Sequence, residues 1–218
     1  MTNFERVSDE FYRSIWQTLQ MVFGSGAISF VLGIALGVGL VVLRPGGILQ
    51  HAMVYNVLDK LINVIRSIPF LILILLLMPL SRAIMGTAIG VTGAIVPLVF
   101  GTVPFFARQV ETAISEVQSG LIEASMAMGL SPTQIIWRVY LRESIPALAR
   151  VTQITAINLV ALATMAGAVG AGGLGDFAIR FGHQQNMTDI MWLTIGVILI
   201  LVSIIQGIGN VIIKKTKR

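Results

Sequence analysis

The sequence predicts an all-α integral membrane protein. It has five transmembrane helices, the N-terminus outside, the C-terminus in the cytoplasm, and a short helical segment on the cytoplasmic side between spans three and four. Three observations predict this. The chain of 218 residues is 56% hydrophobic and 11% charged, with a mean hydropathy of +0.88, whereas a soluble domain carries about 25% charged residues. A soluble domain of this length has no core large enough to hide so much apolar surface. Second, several charge-free runs exceed the roughly 20 residues that a helix needs to cross the hydrocarbon layer. Third, the basic residues are unevenly shared between the connections, as the positive-inside rule expects.

The charge-free runs are 14–43, 83–107, 151–175 and 190–213. A fifth, "SIPFLILILLLMPLS" (67–81), is shorter, but its apolar pattern extends back through Leu61, Ile62, Val64 and Ile65. That gives a span of 61–80 with Arg66 near one end, where a long cationic side chain can reach toward headgroups. The expected spans are therefore 14–43, 61–80, 83–107, 151–172 and 190–213. With the C-terminal "KKTKR" in the cytoplasm, an odd number of spans puts the N-terminus outside. Of the 15 basic residues only Arg6, Arg13, Arg82 and Arg180 then face out, and the reverse topology inverts this bias. The N-terminus has no cationic region and no small-residue cleavage site, so the first span is expected to stay uncleaved. The chain divides into an outer segment 1–13, a membrane domain 14–213 and a basic cytoplasmic tail 214–218.

Within the spans, Gly33 with Gly37 and Gly86 with Gly90 have the spacing that lets helices approach closely in lipid. Packing within the chain is the first expectation, and contact with a second copy the alternative. Pro69, Pro79, Pro97 and Pro104 predict kinks whose freed carbonyls need partners. The intramembrane polar groups are neutral. Thr92, Thr102, Thr155, Asn158, Thr164 and Gln206 are expected to hydrogen-bond between helices.

Several kinds of chemistry are missing. There is no G-x-x-x-x-G-K-[ST] loop, no HExxH and no G-x-S-x-G, and cysteine is absent. His51 and His183 stand alone in expected loops. No catalytic residue and no metal ligand is expected, so the chain is not read as an enzyme. The basic residues serve topology, so no nucleic acid is implied; the surrounding partner is membrane lipid. No Asp or Glu lies inside an expected span, which argues against an ion-coupled transporter or an acidic-ring pore. The chain has the shape of a transporter part without a visible source of energy.

The polar segment 119–146 addresses that gap. Ser119 is expected to cap a helix from Gly120, with Glu123 in the first turn, where its charge suits the helix dipole. Gly129 supplies a left-handed C-terminal residue. Ser131, Pro132 and Gln134 then form a capping box with proline at the first helical position. The second helix carries Ile135, Ile136, Val139 and Leu141 with Arg138 and Arg142, and Pro146 interrupts it where the next span starts. The first helix, about nine residues and roughly 13 Å long, has few basic residues. Its small and flexible side chains, Ala124, Ser125, Met126, Ala127 and Met128, suit a protein groove; an amphipathic helix lying on lipid is the alternative.

At "EASMAMGLSPTQIIWRVYLRESIP" the chain resembles the EAA signature of binding-protein-dependent ABC importer permeases, type I. Glu123, Ala124 and Ser125 fill its first places, Gly129 falls at the required spacing, Val139 and Leu141 fill the later apolar places, and Arg142 stands where the family has proline. "RSIPFLILI" (66–74) and "GAVGAGGLG" (167–175) extend the resemblance over nearly the whole length. They are most similar to the methionine-uptake branch, while "RSIPF" also resembles an element of polar amino-acid permeases. The glycine-rich stretch would line a cavity with irregular backbone or form a flexible external loop.

The resemblance implies a coupling helix at Glu123, Ala124, Ser125 and Gly129 that seats in a separate ATPase. It implies two such ATPase subunits, ATP and magnesium bound there and no cofactor on this chain. It further implies an extracytoplasmic substrate-binding lipoprotein and the bacterial inner membrane. Five spans are few to enclose a solute path, so a second copy is expected, with the path on the two-fold axis. Asn158, Leu162, Met165 and Gly167 fall at helical spacing on or near one face of the fourth span. They are the expected path residues, with Met165 either a gate or core filler. Methionine is the expected cargo. The alternatives are another amino acid or small solute, or an uncoupled channel or membrane scaffold.

Overall fold

In the computed structural model, residues 3–216 are described, with side chains from Arg6 onward; Lys217 and Arg218 of the expected basic tail lie outside the described residues. Every regular element among the described residues is helical. In order they are α1 (Asn3–Leu43), α2 (Ala52–Ser67), α3 (Phe70–Met85), α4 (Gly90–Ser115), α5 (Ser119–Ala127), α6 (Pro132–Ile135), α7 (Leu141–Glu143), α8 (Ile145–Ala166), α9 (Gly173–Phe177) and α10 (Thr188–Thr216). Wider π turns fill Ile136–Tyr140, Gly167–Ala171 and Ala178–Gln184. Four stretches are long and apolar enough to cross a bilayer: Arg6–Leu43, Gly90–Ser115, Ile145–Ala171 and Thr188–Thr216. The bent pair α2 and α3 passes the same test only when taken together.

The differences from the expected boundaries have local causes. The outer segment 1–13 is helical from Asn3, because no Pro or Gly interrupts it and Val7 and Phe11, one turn apart, have a core to enter. The expected span 61–80 is not one helix. Pro69 is extended (φ −55°, ψ 133°) and caps α3, and a residue preceding proline is pushed out of helical geometry. The third expected span, 83–107, begins only at Gly90. Gly86 (φ 77°) ends α3, and Gly90 (φ 75°) opens α4, which then runs on to Ser115. That glycine pair therefore turns the chain, and a Cβ added at either position would meet no other atom of it within 4 Å.

The chain packs as two units. The first comprises the chain up to Ile28, Ile68–Thr102 and Ala156–Gly207. Its core holds Met21, Ile74, Leu98, Leu159 and Ala163, with a second cluster of Val7, Phe11, Leu174, Phe177 and Ile190. Pro97 has no N–H for the carbonyl of Gly93 one turn back. The buried Ser81 hydroxyl donates to that carbonyl instead, at 2.7 Å.

The second unit comprises Ser29–Ser67, Val103–Thr155 and the chain from Ile208. Val41, Phe106, Val110, Ile114, Ile135 and Tyr140 form its main core. Here the other glycine pair works as intrachain packing. A Cβ on Gly33 would stand 2.5 Å from the Phe106 ring, and one on Gly37 would stand 2.6 Å from Val110 and 2.7 Å from the Ala107 carbonyl. Arg108 ties α4 to α2 through Asp59 at 2.6 Å and also pairs with Glu111 at 2.6 Å. The three tryptophans, Trp16, Trp137 and Trp192, are all exposed, as suits side chains with one apolar and one wet end.

Candidate functional site

The polar segment folds much as its caps dictate. Gln118, extended at φ −60° and ψ 129°, is the N-cap of α5 and makes no side-chain cap bond. Ser119, expected as the cap, is the first helical residue. At the other end Gly129 adopts φ 80°. The Met128 N–H reaches the Ala124 carbonyl at 3.0 Å, and the Leu130 N–H reaches the Ser125 carbonyl at 3.1 Å. These bonds close the helix on a left-handed residue. The capping box of α6 is complete. The Ser131 hydroxyl accepts from the Gln134 N–H at 3.4 Å, and the Ser131 N–H donates to Gln134 Oε1 at 2.9 Å. Ile135 and Tyr140 then enter the core of the second unit. Burial pushes the Tyr140 phenol above its ordinary value, with Arg44 pulling the other way.

Arg142 lies in regular helical backbone within α7. The break expected at Pro146 comes two residues earlier, at Ser144 (φ −84°, ψ −2°). Pro146 itself falls in the first turn of α8, where a missing N–H leaves no helical bond unmade.

The four expected coupling residues divide. Glu123, Ala124 and Gly129 are exposed, together with Met126 at 48% and Met128 at 71%. Ser125 is 5% exposed and its hydroxyl donates to the Leu121 carbonyl at 2.7 Å. It seats α5 on its own unit and leaves the outward face to its neighbours. An added Cβ at Gly120 or Gly129 meets nothing.

The four expected path residues divide as well. Asn158 and Leu162 are half-buried, Leu162 against the first unit's core, and Met165 is 46% exposed. Gly167 is buried. A Cβ there would stand 2.6 Å from the Asp176 nitrogen and 2.8 Å from the Gly172 carbonyl, so the glycine allows close packing against that turn. Ala161 and Ala168, four and three residues from Met165, share its exposure. Sequence reasoning passed over them because alanine carries no chemical signal; only their spacing from Met165 could have found them. Thr155 and Thr164 do not bond between helices. Their hydroxyls donate to the Val151 and Val160 carbonyls of their own helix, at 2.8 and 2.9 Å.

The glycine-rich stretch is a packed turn. Val169 (φ −113°, ψ 25°) and Gly170 (φ 92°) leave helical geometry, and Gly172 (φ 80°, ψ −160°) leads into α9. The first N–H groups of α9 are satisfied from α1. Gly173 donates to Gln17 Oε1 at 2.9 Å, and Leu174 to Thr18 Oγ1 at 2.8 Å. A Cβ on Gly173 would stand 2.7 Å from Thr18 Oγ1, and one on Gly175 would strike the backbone carbonyl of Thr164. Just beyond, Arg180 pairs with Asp176 at 2.7 Å and with Glu10 at 3.7 Å. The Asp176 hydrogen bond leads in raising the pKa of the Arg180 guanidinium.

Comparison with known proteins gives a consistent set. Residues 29–215 match the family model "Binding-protein-dependent transport system inner membrane component". A probable D-methionine transport system permease protein of Vibrio cholerae is 44% identical over 208 residues, covering 95% of this chain and 92% of that protein. The D-methionine transport system permease protein of Escherichia coli is 49% identical over 136 residues, covering 62% of this chain and 63% of that protein. Among solved structures, a chain of the MetNI methionine ABC transporter in inward-facing conformations superposes with a TM-score of 0.96 at 43% identity, covering 100% of both chains. A chain of an amino acid ABC transporter solved with histidines has a TM-score of 0.79 at 15% identity, covering 97% of this chain and 96% of that one, a likeness of fold alone.

Proposed function

The chain belongs to the family of binding-protein-dependent transport system inner membrane components and is a multi-pass protein of the bacterial inner membrane, and from that premise we propose that it is the membrane-spanning permease subunit of an ATP-driven methionine importer. The observation that carries the coupling role is the outward face of α5. Glu123, Ala124, Met126 and Met128 stand exposed on a short helix and its C-cap, closed at the C-terminal end by the Gly129 turn and followed by the self-capped α6. Small and flexible apolar side chains around one carboxylate suit a cleft in a partner protein. That partner is an ATPase subunit, one per copy of this chain, and ATP and magnesium bind there. The cargo follows from the near-full-length likeness to D-methionine permeases and to a chain of a methionine transporter.

Two copies assemble about a two-fold axis that carries the solute path. Each contributes five spans, α2 and α3 together supplying the second, with the N-terminus outside and the α5–α7 segment in the cytoplasm. The exposed side of α8 at Met165, with Asn158 and Leu162 along the same side, lines the path, and Met165 gates it against its counterpart in the second copy. An extracytoplasmic lipoprotein delivers the cargo. The ATPase pair binds the two permease states with different affinity, and that difference shifts their populations by rigid-body motion.

Reconstitution with the ATPase and the lipoprotein tests this. Glu123→Lys reverses the charge on the docking face, and Gly129→Pro demands a φ near −65° where the chain holds 80°. Both variants are expected to insert normally and keep hydrolysing ATP while methionine uptake falls about tenfold or more, that is, by about 1.4 kcal/mol or more of coupling. Normal uptake in both overturns the docking role. Uptake of a different amino acid in place of methionine overturns the cargo.

A further inference from the structure

We propose that Arg108 and Asp59 are positioning residues of the transport step: they lock α2 to the end of α4, so that α2 travels with α5 through the whole cycle. The lock is a closed set of four side chains within the second unit. The Arg108 guanidinium donates from Nη2 to Asp59 Oδ1 at 2.6 Å and to Asn63 Oδ1 at 3.1 Å, and from Nη1 to Glu111 Oε2 at 2.6 Å. Asn63 Nδ2 in turn donates to Asp59 Oδ2 at 3.2 Å. Arg108, Asp59 and Glu111 are half-buried, so removing one charge leaves its partner poorly solvated and uncompensated. A forked guanidinium fixes direction as well as distance, and bonds that share one centre rigidify what they join.

Apolar packing does not hold α2 in this way. Ile62 is the one buried residue of the helix, in a small cluster with Leu40 and Ala107. Met53, Val57, Leu61 and Val64 share another face at helical spacing and are all exposed. In lipid no hydrophobic force presses such a face against a neighbouring helix. The polar network therefore sets where α2 stands on α4.

The other end of the linkage is α5. Only Glu116, Val117 and Gln118 separate it from α4, a connection of about 11 Å at full extension. Ile122 of α5 and Leu130 just beyond it pack against the core that Val110 and Ile114 of α4 help to form. A displacement of α5 passes to the end of α4 through that packing and to α2 through Arg108. The proposal rests on the reading of α5 as the coupling helix.

The test measures methionine taken up per ATP hydrolysed in the reconstituted complex of permease, ATPase and lipoprotein. Asp59→Asn and Arg108→Gln are each expected to lower this ratio about tenfold while the complex still assembles. The chain has no cysteine of its own, so Asp59→Cys combined with Arg108→Cys puts the permease's only thiols where the link was lost. Bridging them in the purified permease with a short bis-maleimide, before the ATPase is added, is expected to raise the ratio about tenfold again. A bridged permease that supports ATP hydrolysis without uptake overturns the proposal, because α2 and α4 then have to part during the cycle. An unchanged ratio in both single variants overturns it too. So does a lower folded yield with a normal ratio in the protein that remains, which makes the pair a stability contact alone. Where a single variant does not assemble, the bridged double variant decides. If the linkage fails while Glu123→Lys and Gly129→Pro still uncouple, the importer reading stands.

Discussion

The segments around α6 and α9 both start a short helix just after a left-handed glycine, and they secure it in opposite ways. In α6 the first turn is satisfied from within, by Ser131 and Gln134. In α9 it is satisfied by Gln17 and Thr18, which lie 156 residues upstream. The glycines differ in the same sense. Gly129 at φ 80° has open space around it, whereas Gly173 at φ 78° lies against Thr18 and Met21. A helix that caps itself keeps its shape while exposed and can be presented to another protein. A helix capped from elsewhere exists only while α1 is packed on it, so its geometry reports on that packing. Autonomy suits the proposed docking segment, and dependence suits a turn that must hold two parts of one unit in register.

The sharpest way to break this contrast is one chemical change made in both places. Gly175→Ala drives a methyl group into the Thr164 backbone carbonyl and should cost about 3 kcal/mol or more. The expected readout is a large fall in folded yield and unfolding midpoint in detergent. Gly129→Ala adds the same methyl group to open space and should cost only the strain of positive φ, about 1 kcal/mol. Equal losses in the two variants would dissolve the distinction. An effect between these two is expected from Thr18→Ala, which leaves the buried Leu174 N–H unpaired, at about 1–3 kcal/mol. Its loss should appear as faster amide exchange in α9 with α6 unchanged. Ser131→Ala should cost about 1 kcal/mol, as little as Gly129→Ala, with exchange rising in α6 alone. If either substitution loosens both segments, the two are less separate than their hydrogen bonds indicate.

The same contrast explains what the sequence disclosed. Ser131, Pro132 and Gln134 were legible because a capping box is a local device whose parts lie within three residues. The long apolar helices were legible because hydropathy sums over many residues. The α5 start was misjudged by one position, because Gln118 takes the cap geometry without making a cap bond, and no residue type announces that. At Pro69 the sequence predicts a kink within one span, and the chain instead breaks into α2 and α3, because hydropathy says nothing of how far one backbone restriction bends a helix. The glycines from 167 to 175 allowed both a loose loop and a packed turn. Only Gln17 and Thr18 decide between them, and nothing near the glycines points to residues so far back. Thr155 and Thr164 misled in a related way. A hydroxyl in a helix always has its own carbonyl one turn back within reach, and here that nearer acceptor won. On the site, Glu123, Ala124, Gly129 and Met165 are exposed, whereas Ser125 and Gly167, small residues that hydropathy cannot place, pack inward.

The bond from Ser81 to the Gly93 carbonyl has a consequence for inheritance. A lineage that loses the hydroxyl at 81 keeps an acceptor with nothing to accept, because Pro97 has no hydrogen to give it. A lineage that first replaces Pro97 by a residue with an N–H closes its own turn and sets position 81 free to drift. Either change is tolerable in one order and harmful in the other. The two sites should therefore be epistatic, with descendants of a Ser81→Ala founder recovering most readily by substitution at 97, four residues beyond the atom that was actually deprived.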